Sequence, residues 1–386
     1  MVLKMSSKER IFATIEHKKT DYIPINFSGI CHGVLGFLNK RGYDDFKKAQ
    51  FFIDLEVDHG ISCVPPVNSE SGYKIKQWRE EPNKNEKFPV LYKEYITPKG
   101  SLRQVVRKTE DYLENSIRLI NDHHVPPSRS KEYLVSKEED LEKLIYILKA
   151  PEGEELDEYY KMAKEYKNFA EKKGIIFSGY ALGVGDPLMW FSGVERTLFA
   201  AMENPDFLAR YIEIVSNWNY NRIKIMIEAG VDLIIRRGWY ESTDFWSPEL
   251  YKQFLFKPLK REIDLAHGAG VKFCYCMNSG VMPLLEIFRE LKFDILSNID
   301  PTNANLDVIK AKIGKEITLC GGVNNFRVLE CGTEREVEKA VIEAKEKLSP
   351  GGGYIMAPGD SILATTKVAE RNFYKMIEVW KKIRYY

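Results

Sequence analysis

Residues 231–276 of the chain read VDLIIRRGWYESTDFWSPELYKQFLFKPLKREIDLAHGAGVKFCYC. Two apolar runs, Val231–Ile235 and Val271–Cys276, enclose a segment that begins at Ser247-Pro248 and ends at His267-Gly268. Serine is a favourable N-cap and proline is tolerated at the first helical position, so we predict that this segment is a helix. The stretch therefore predicts a strand, a helix and a second strand.

The same alternation continues on both sides of this stretch, from about residue 140 to the C-terminus. The predicted strands are apolar throughout rather than alternating, which indicates a parallel sheet covered on both faces. Roughly eight strands are counted when Tyr22–Phe27 and Ile61–Val64 are included. An open doubly wound sheet is the alternative, but no glycine-rich nucleotide-binding motif follows a strand. We therefore predict the α/β class, with residues 1–386 forming a single (β/α)₈ barrel domain.

Residues 60–130 depart from this pattern. They are rich in β-forming residues and are interrupted by prolines and glycines. Val90–Tyr95 and Leu102–Thr109, joined by Thr97-Pro-Lys-Gly100, have the pattern of a β-hairpin. We interpret this N-terminal β-rich segment as an elaboration of the barrel.

Composition excludes several classes of protein. The chain has 386 residues, with 57 Lys and Arg against 56 Asp and Glu, and its formal net charge of +1 argues against a nucleic-acid-binding protein. It has no apolar run long enough to cross a membrane and no secretory signal. Six cysteines in a chain of this length do not indicate a disulfide framework. A cytoplasmic enzyme is the expectation.

Active sites of (β/α)₈ barrels lie at the C-terminal ends of the strands. Arg236 and Arg237 directly follow a buried strand, where guanidinium groups need a bound anion or an internal carboxylate as partner. Glu241, in the following loop, is interpreted as a metal ligand, a general acid or the partner of one arginine. Cys274 and Cys276 point to the same face of one strand, so they can bind zinc as thiolates or simply pack in the core.

Two other residues near predicted strand ends stay open at this point. Asp360 follows the last strand and precedes a helix, so it is interpreted either as a catalytic carboxylate or as a helix cap. His32, near the first strand, is a single histidine with no partner motif.

The order and spacing of several segments resemble the uroporphyrinogen decarboxylase superfamily, which includes zinc-dependent methyltransferases that serve corrinoid proteins. The matching segments are Ser7-Lys-Glu-Arg10, Asp21-Tyr-Ile-Pro24, Asn204-Pro205-Asp206, Glu228-Ala-Gly-Val-Asp232, Ser247-Pro-Glu-Leu-Tyr251, Lys257-Pro258, His267-Gly-Ala-Gly-Val271, Gly321-Gly-Val-Asn324, Cys331-Gly-Thr-Glu334 and Gly352-Gly-Tyr-Ile-Met-Ala-Pro-Gly359. True uroporphyrinogen decarboxylases carry arginines after the first strand, where this chain has Asn26-Phe-Ser-Gly-Ile-Cys-His32. The resemblance therefore points to the methyltransferases that demethylate methoxylated aromatic compounds.

That branch implies transfer of a methyl group from a small donor, with a methoxylated aromatic as the expected class, to the cobalt of a separate corrinoid (cobalamin) protein. The implied zinc ligands are Cys276, Glu241 and Asp360, with Cys274 as a substitute for either carboxylate. A second alignment places Met277-Asn278-Ser279-Gly280 at the zinc position and removes the thiols from it.

The remaining site residues are assigned from their positions after predicted strands. The expected catalytic residues are Tyr240, Glu241 and Arg237. The expected substrate-binding residues are His32, Tyr180, Trp239, Asp244 and Asn324.

Two other functions stay open: a metal-free lyase of the same superfamily, and a non-catalytic barrel that binds a corrinoid or another tetrapyrrole. A homodimer is one option for the assembly. The sequence does not identify the methyl donor, the corrinoid partner or the oligomeric state.

Overall fold

A computed structural model describes residues 4–31, 33–69, 71–110, 112, 114–120 and 129–385. His32, expected to bind substrate, lies outside these ranges. Two sheets are present in the described ranges. Their strands are β1 Gly60–Ser62, β2 Lys74–Glu80, β3 Val90–Thr97, β4 Gly100–Arg107, β5 Ser130–Glu132, β6 Ile176–Ala181, β7 Leu233–Arg237, β8 Lys272–Cys276, β9 Ile295–Ile299, β10 Thr318–Val323 and β11 Tyr354–Pro358.

Seven strands form one parallel sheet in the order β1-β6-β7-β8-β9-β10-β11. The eighth position is taken by Ile25, which pairs with Met356 in an isolated parallel bridge. The sheet curls into the predicted α/β barrel. The expected first strand, 22–27, is reduced to this bridge because Pro24 has no N–H and Asp58 takes over hydrogen bonds there. An Asp58 carboxylate oxygen accepts from the Ile25 N–H at 3.3 Å, and the Asp58 backbone carbonyl accepts from the Asn26 side-chain amide at 2.7 Å.

Helices alternate with the strands of the barrel. They are α1 Ser7–Ile15, α2 Gly36–Lys40, α3 Asp45–Asp54, α4 Leu141–Ile147, α5 Glu154–Lys173, α6 Gly185–Ser192, α7 Val194–Glu203, α8 Pro205–Glu228, α9 Pro248–Leu250, α10 Phe256–Gly268, α11 Leu285–Leu291, α12 Leu306–Ile313, α13 Glu334–Leu348 and α14 Lys367–Ile383. Ser247 caps α9 through its hydroxyl, as predicted. The predicted continuous helix 248–267 is wrong in one respect, because a π-helical turn at Tyr251–Leu255 separates α9 from α10. No helix in the described ranges is long and apolar enough to span a membrane.

The sequence did not predict helix α6. All eight of its residues are buried, so it has no polar face and lacks the amphipathic period by which surface helices are recognised. It lies between the end of β6 and the loop that follows β7.

Strands β2, β3, β4 and β5 form a separate antiparallel sheet. The predicted hairpin is confirmed: β3 pairs with β4, and Thr97 lies opposite Gly100 across the turn. One face of this sheet, which includes Tyr95 and Leu102, joins the main hydrophobic core.

Inside the barrel, alternate strand residues form a separate apolar cluster together with two residues of α1 and two of the loop at 28–31. Its buried members are Ile11, Ile15, Ile30, Cys31, Ile176, Leu233, Ile235, Cys274, Cys276, Ile295, Cys320, Ile355 and Ala357. The interior is therefore packed, and polar groups collect at the C-terminal ends of the strands.

Candidate active site

Three side chains nominated from the sequence lie at the C-terminal ends of adjacent barrel strands. Tyr180 is in β6, Arg237 ends β7 and Cys276 ends β8. Arg237 pairs with Cys276 in the parallel register. These three residues define the mouth of the barrel, where this fold places its active sites.

Arg237 is buried between two indole rings. Its guanidinium carbon lies 5.0 Å from the ring centroid of Trp190 and 4.6 Å from that of Trp239. Its Nε atom lies 3.0 Å from a carboxylate oxygen of Asp186, and both side chains are almost fully buried. Burial lowers the pKa of Arg237 to about 9 and raises the pKa of Asp186 to about 7, with the Glu241 carboxylate adding to the second effect. Arg237 is thus a buried cation in an aromatic cage.

Glu241 is fully buried, and all of its described contacts are to groups of the protein. One oxygen accepts from the backbone N–H groups of Val184 and Gly185, at 2.7 and 3.1 Å, at the N-terminus of α6. The other accepts from the Tyr275 hydroxyl at 2.5 Å and pairs with Arg236. Because these donors occupy both oxygens, Glu241 holds α6 against the end of β7, as the salt-bridge interpretation required.

Arg236 binds a second buried carboxylate besides Glu241. Its Nε lies 3.0 Å from Glu262, which also accepts from the Asn219 amide at 2.7 Å. Burial raises the pKa of Glu262, with Arg236 as the main opposing influence. Both arginines therefore have an internal carboxylate partner: Arg236 belongs to a buried ion-pair network, and Arg237 lies beside Asp186 at the mouth.

Two glycines permit the close contact between the loop after β6 and the loop after β7. A Cβ atom on Gly183 would lie 2.4 Å from the Arg237 carbonyl oxygen, and one on Gly185 would lie 2.6 Å from the Tyr240 carbonyl oxygen. Any larger residue would separate the two loops. The Glu241 carboxylate would then lose the hydrogen bonds that it accepts from the N–H groups at the N-terminus of α6.

The pKa of Tyr180 depends on several other residues of the mouth. Burial raises its pKa well above the ordinary value, and Cys276, Asp186 and Asp360 add to the effect in that order. Asp360 accepts from the Asn278 amide and from the Ser361 N–H, both at 2.6 Å. Burial also raises the pKa of Asp360. Tyr180 is therefore close enough to Cys276, Asp186 and Asp360 for their charges to act on its hydroxyl.

The four donors nominated for zinc do not fit a metal site as nominated. Among the residues that the structure describes, no three His, Cys, Asp or Glu side chains are placed to hold a metal ion together. The thiols of Cys274 and Cys276 lie 3.9 Å apart, and Cys276 accepts from the Ser297 hydroxyl at 2.7 Å. Burial raises the pKa of Cys274 far above its ordinary value, which favours the thiol over the thiolate that zinc requires. Glu241 is already engaged by the groups named above.

The other nominated residues lie around the rim. Trp239 and Tyr240 are partly exposed, and the Tyr240 ring packs 5.2 Å from Phe245. Asp244 is exposed and accepts from the Ser242 and Ser279 hydroxyls, so it links the loop after β7 to the loop after β8.

Asn324 has a local structural role. Its amide donates to Asp300 at 2.7 Å and its oxygen caps the π-helical segment after β10. As with Asp244, its contacts here are with the protein's own loops.

Asp186 is the mouth residue that sequence reasoning missed. It lies in Ala181–Phe191, an otherwise apolar and fully buried run directly after a predicted strand. A single carboxylate inside such a run is costly unless it is paired, and this was the available signal.

One solved structure agrees with this architecture. A methyltransferase from Methanosarcina mazei has a similar fold, with a TM-score of 0.62 and 18% identity over 98% of this chain and 99% of that chain. A B12-independent methionine synthase from a Shewanella species gives a TM-score of 0.44 and 10% identity over 58% of this chain and 66% of that chain. No curated protein sequence matches the chain.

The sequence profile of uroporphyrinogen decarboxylase (URO-D) matches residues 132–383. That range is more than half of the chain and contains β6 to β11, the strands whose ends carry the mouth residues. The chain belongs to the uroporphyrinogen decarboxylase family.

Proposed function

We propose that the chain is a methyltransferase that moves a methyl group from a small methoxylated aromatic compound to the cobalt of a separate corrinoid protein. Family membership and the fold shared with a methyltransferase support the general class of activity. The observation that carries the proposal is the aromatic cage around Arg237, formed by Trp190 and Trp239 at the mouth.

The cage suits a flat ring that carries an anionic group. Trp239 and Tyr240 are partly exposed, so their rings can stack on a planar substrate. The Arg237 guanidinium lies 4.6 Å from the Trp239 ring centroid, and a guanidinium binds a carboxylate with two parallel hydrogen bonds. A methoxylated benzoate has both features.

Transfer of the methyl group to cobalt breaks the bond between the methyl carbon and the ether oxygen, and that oxygen leaves as a phenolate. The Tyr180 hydroxyl is the donor that we assign to this oxygen. Because burial keeps its pKa well above the ordinary value, Tyr180 is protonated at neutral pH and donates a hydrogen bond to the developing charge. We assign no step to zinc, because the nominated donors do not converge in the described residues.

The test combines the purified protein with chemically reduced cobalamin and a panel of methoxybenzoates. Formation of methylcobalamin is followed by absorbance, and the phenol product is measured by chromatography. We expect Tyr180→Phe to lower kcat by about 10²-fold, in the range of general acid catalysis. We expect Trp239→Ala mainly to raise KM.

Phe199→Ala, at an exposed side chain outside the mouth, is the matched control and should leave both constants unchanged. Absence of methylcobalamin with every donor, together with release of carbon dioxide from a carboxylated substrate, would replace the proposal by the lyase alternative.

A further inference from the structure

Strand β2 is an open edge. It is the first strand of the antiparallel sheet, and it pairs with β3 alone among the described strands. Six of its seven residues are exposed, and the seventh, Trp78, is partly exposed. A strand exposed on both faces and along one edge is stabilised little by packing within its own chain. Its unpaired edge can hydrogen-bond to another strand.

The register shows which backbone groups face outward. In the β3–β4 hairpin, Thr97 lies opposite Gly100 across a two-residue turn, and the Lys108 N–H donates to the Pro89 carbonyl at 2.8 Å. Odd-numbered residues of β3 therefore bond to β4, and even-numbered ones bond to β2. Because Ile96 pairs with Lys74, the even-numbered residues of β2 bond to β3. The N–H and C=O groups of Ile75, Gln77 and Arg79 point away from the sheet.

From this register we propose that the outer edge of β2 pairs antiparallel with β2 of a second copy of this chain, centred on Gln77. Gln77 then lies opposite Gln77 of the second copy, and Ile75 lies opposite Arg79. All three residues present outward-facing backbone groups in both copies, so each opposed pair forms two hydrogen bonds. A two-fold axis relates the copies, as in most dimers.

The charges of β2 are complementary in this register. Lys74 lies opposite Glu80 of the second copy, and Glu80 lies opposite Lys74. Lys76 lies opposite Trp78 of the second copy. Within one chain the Lys76 ammonium already lies 5.4 Å from the Trp78 ring centroid, and that ring stacks on Tyr92 at 4.8 Å. Opposite charges across paired strands and cations over indoles are both favourable. The two sheets join into one continuous sheet of eight strands.

Pairing through one strand of seven residues buries less than a standard interface of about 1,600 Å². We therefore expect a dissociation constant in the micromolar range. Sedimentation velocity of the full chain from about 1 to 200 μM spans this range and measures the constant directly.

A charge-exchange cycle tests the register. Lys74→Glu and Glu80→Lys each place like charges opposite one another twice, so each should weaken the dimer about ten-fold or more. The double variant restores opposite pairs and should return the dissociation constant to within about three-fold of wild type. Lys84→Glu makes the same charge change at an exposed position outside β2 and is the matched control.

Gln77→Pro tests the edge itself. The Gln77 N–H points outward, so proline removes no hydrogen bond to β3 and should leave the fold intact, which far-UV circular dichroism checks. The variant should be monomeric. A wild-type chain that stays monomeric at 200 μM, a dimer that survives Gln77→Pro, or a double variant that does not recover would each overturn the proposal.

Discussion

Replacing Glu241 by glutamine separates a structural role from a metal-ligand role. Glutamine keeps the size of the side chain, but its amide would donate toward Arg236 or Tyr275, which are themselves donors. Breaking a fully buried ion pair costs about 3–5 kcal/mol. Arg236 keeps Glu262 as a partner, so we expect the lower end of that range. Removing the charge at the N-terminus of α6 costs roughly 0.3–1 kcal/mol more. The expected loss is about 3–4 kcal/mol.

Urea unfolding followed by tryptophan fluorescence and circular dichroism measures this loss, and coincident transitions test two-state behaviour. Glu316→Gln is the matched control, because Glu316 pairs with Arg289 in an ion pair that is nearly half exposed. Its cost should stay below about 1 kcal/mol. Zinc content, measured by mass spectrometry on both variants and wild type, should not differ among them. A Glu241→Gln protein as stable as wild type but with less zinc would show that Glu241 is a ligand and that the network described here is wrong.

Three further outcomes are expected. Gly183→Ala should lower the free energy of unfolding by about 1–3 kcal/mol and lower activity, because the new Cβ meets backbone atoms. Gly268→Ala, in open space at a helix end, is the control and should leave the stability unchanged. Equal urea midpoints for the two variants would contradict this. Burial lowers the pKa of His59 to about 3, so the folded state excludes a proton that the unfolded chain binds below about pH 6.5. Wild type should therefore lose stability relative to His59→Gln as the pH falls from about 6.5 toward 3, by roughly 1.4 kcal/mol per unit, and parallel pH curves would refute this. Trp380→Phe leaves the buried Ile23 carbonyl without its indole donor and should cost about 1–3 kcal/mol by the same assay.

The regular part of the fold could be predicted because each strand and helix there carries its own signal. Val231–Ile235 and Val271–Cys276 are apolar throughout, and Ser247-Pro248 marks a helix start. Elements without a local period were missed. Helix α6 is buried on every side, and β2 is exposed on both faces, so neither shows the alternation that identifies helices and strands.

The sequence could predict which site residues lie at strand ends, but not which side chains they pair with. The sequence placed Arg236 and Arg237 together at the end of one strand. It could not say that Arg236 pairs with Glu241 and Glu262 while Arg237 pairs with Asp186. Adjacent residues of a strand face opposite sides of a sheet, and two of these partners, Asp186 and Glu262, come from helices distant in sequence. Whether zinc binds stays a prediction.

The closure of the barrel at Ile25 has a consequence for synthesis of the protein. The bridge from Ile25 to Met356 and the hydrogen bond from Trp380 to Ile23 join the first part of the chain to the last, 357 residues apart in the second case. Contacts of such separation form slowly, and until they form, nascent sheets expose unpaired edges to other chains. Residues 23–25 are synthesised long before residues 356–380, so these contacts form only after the later residues have left the ribosome.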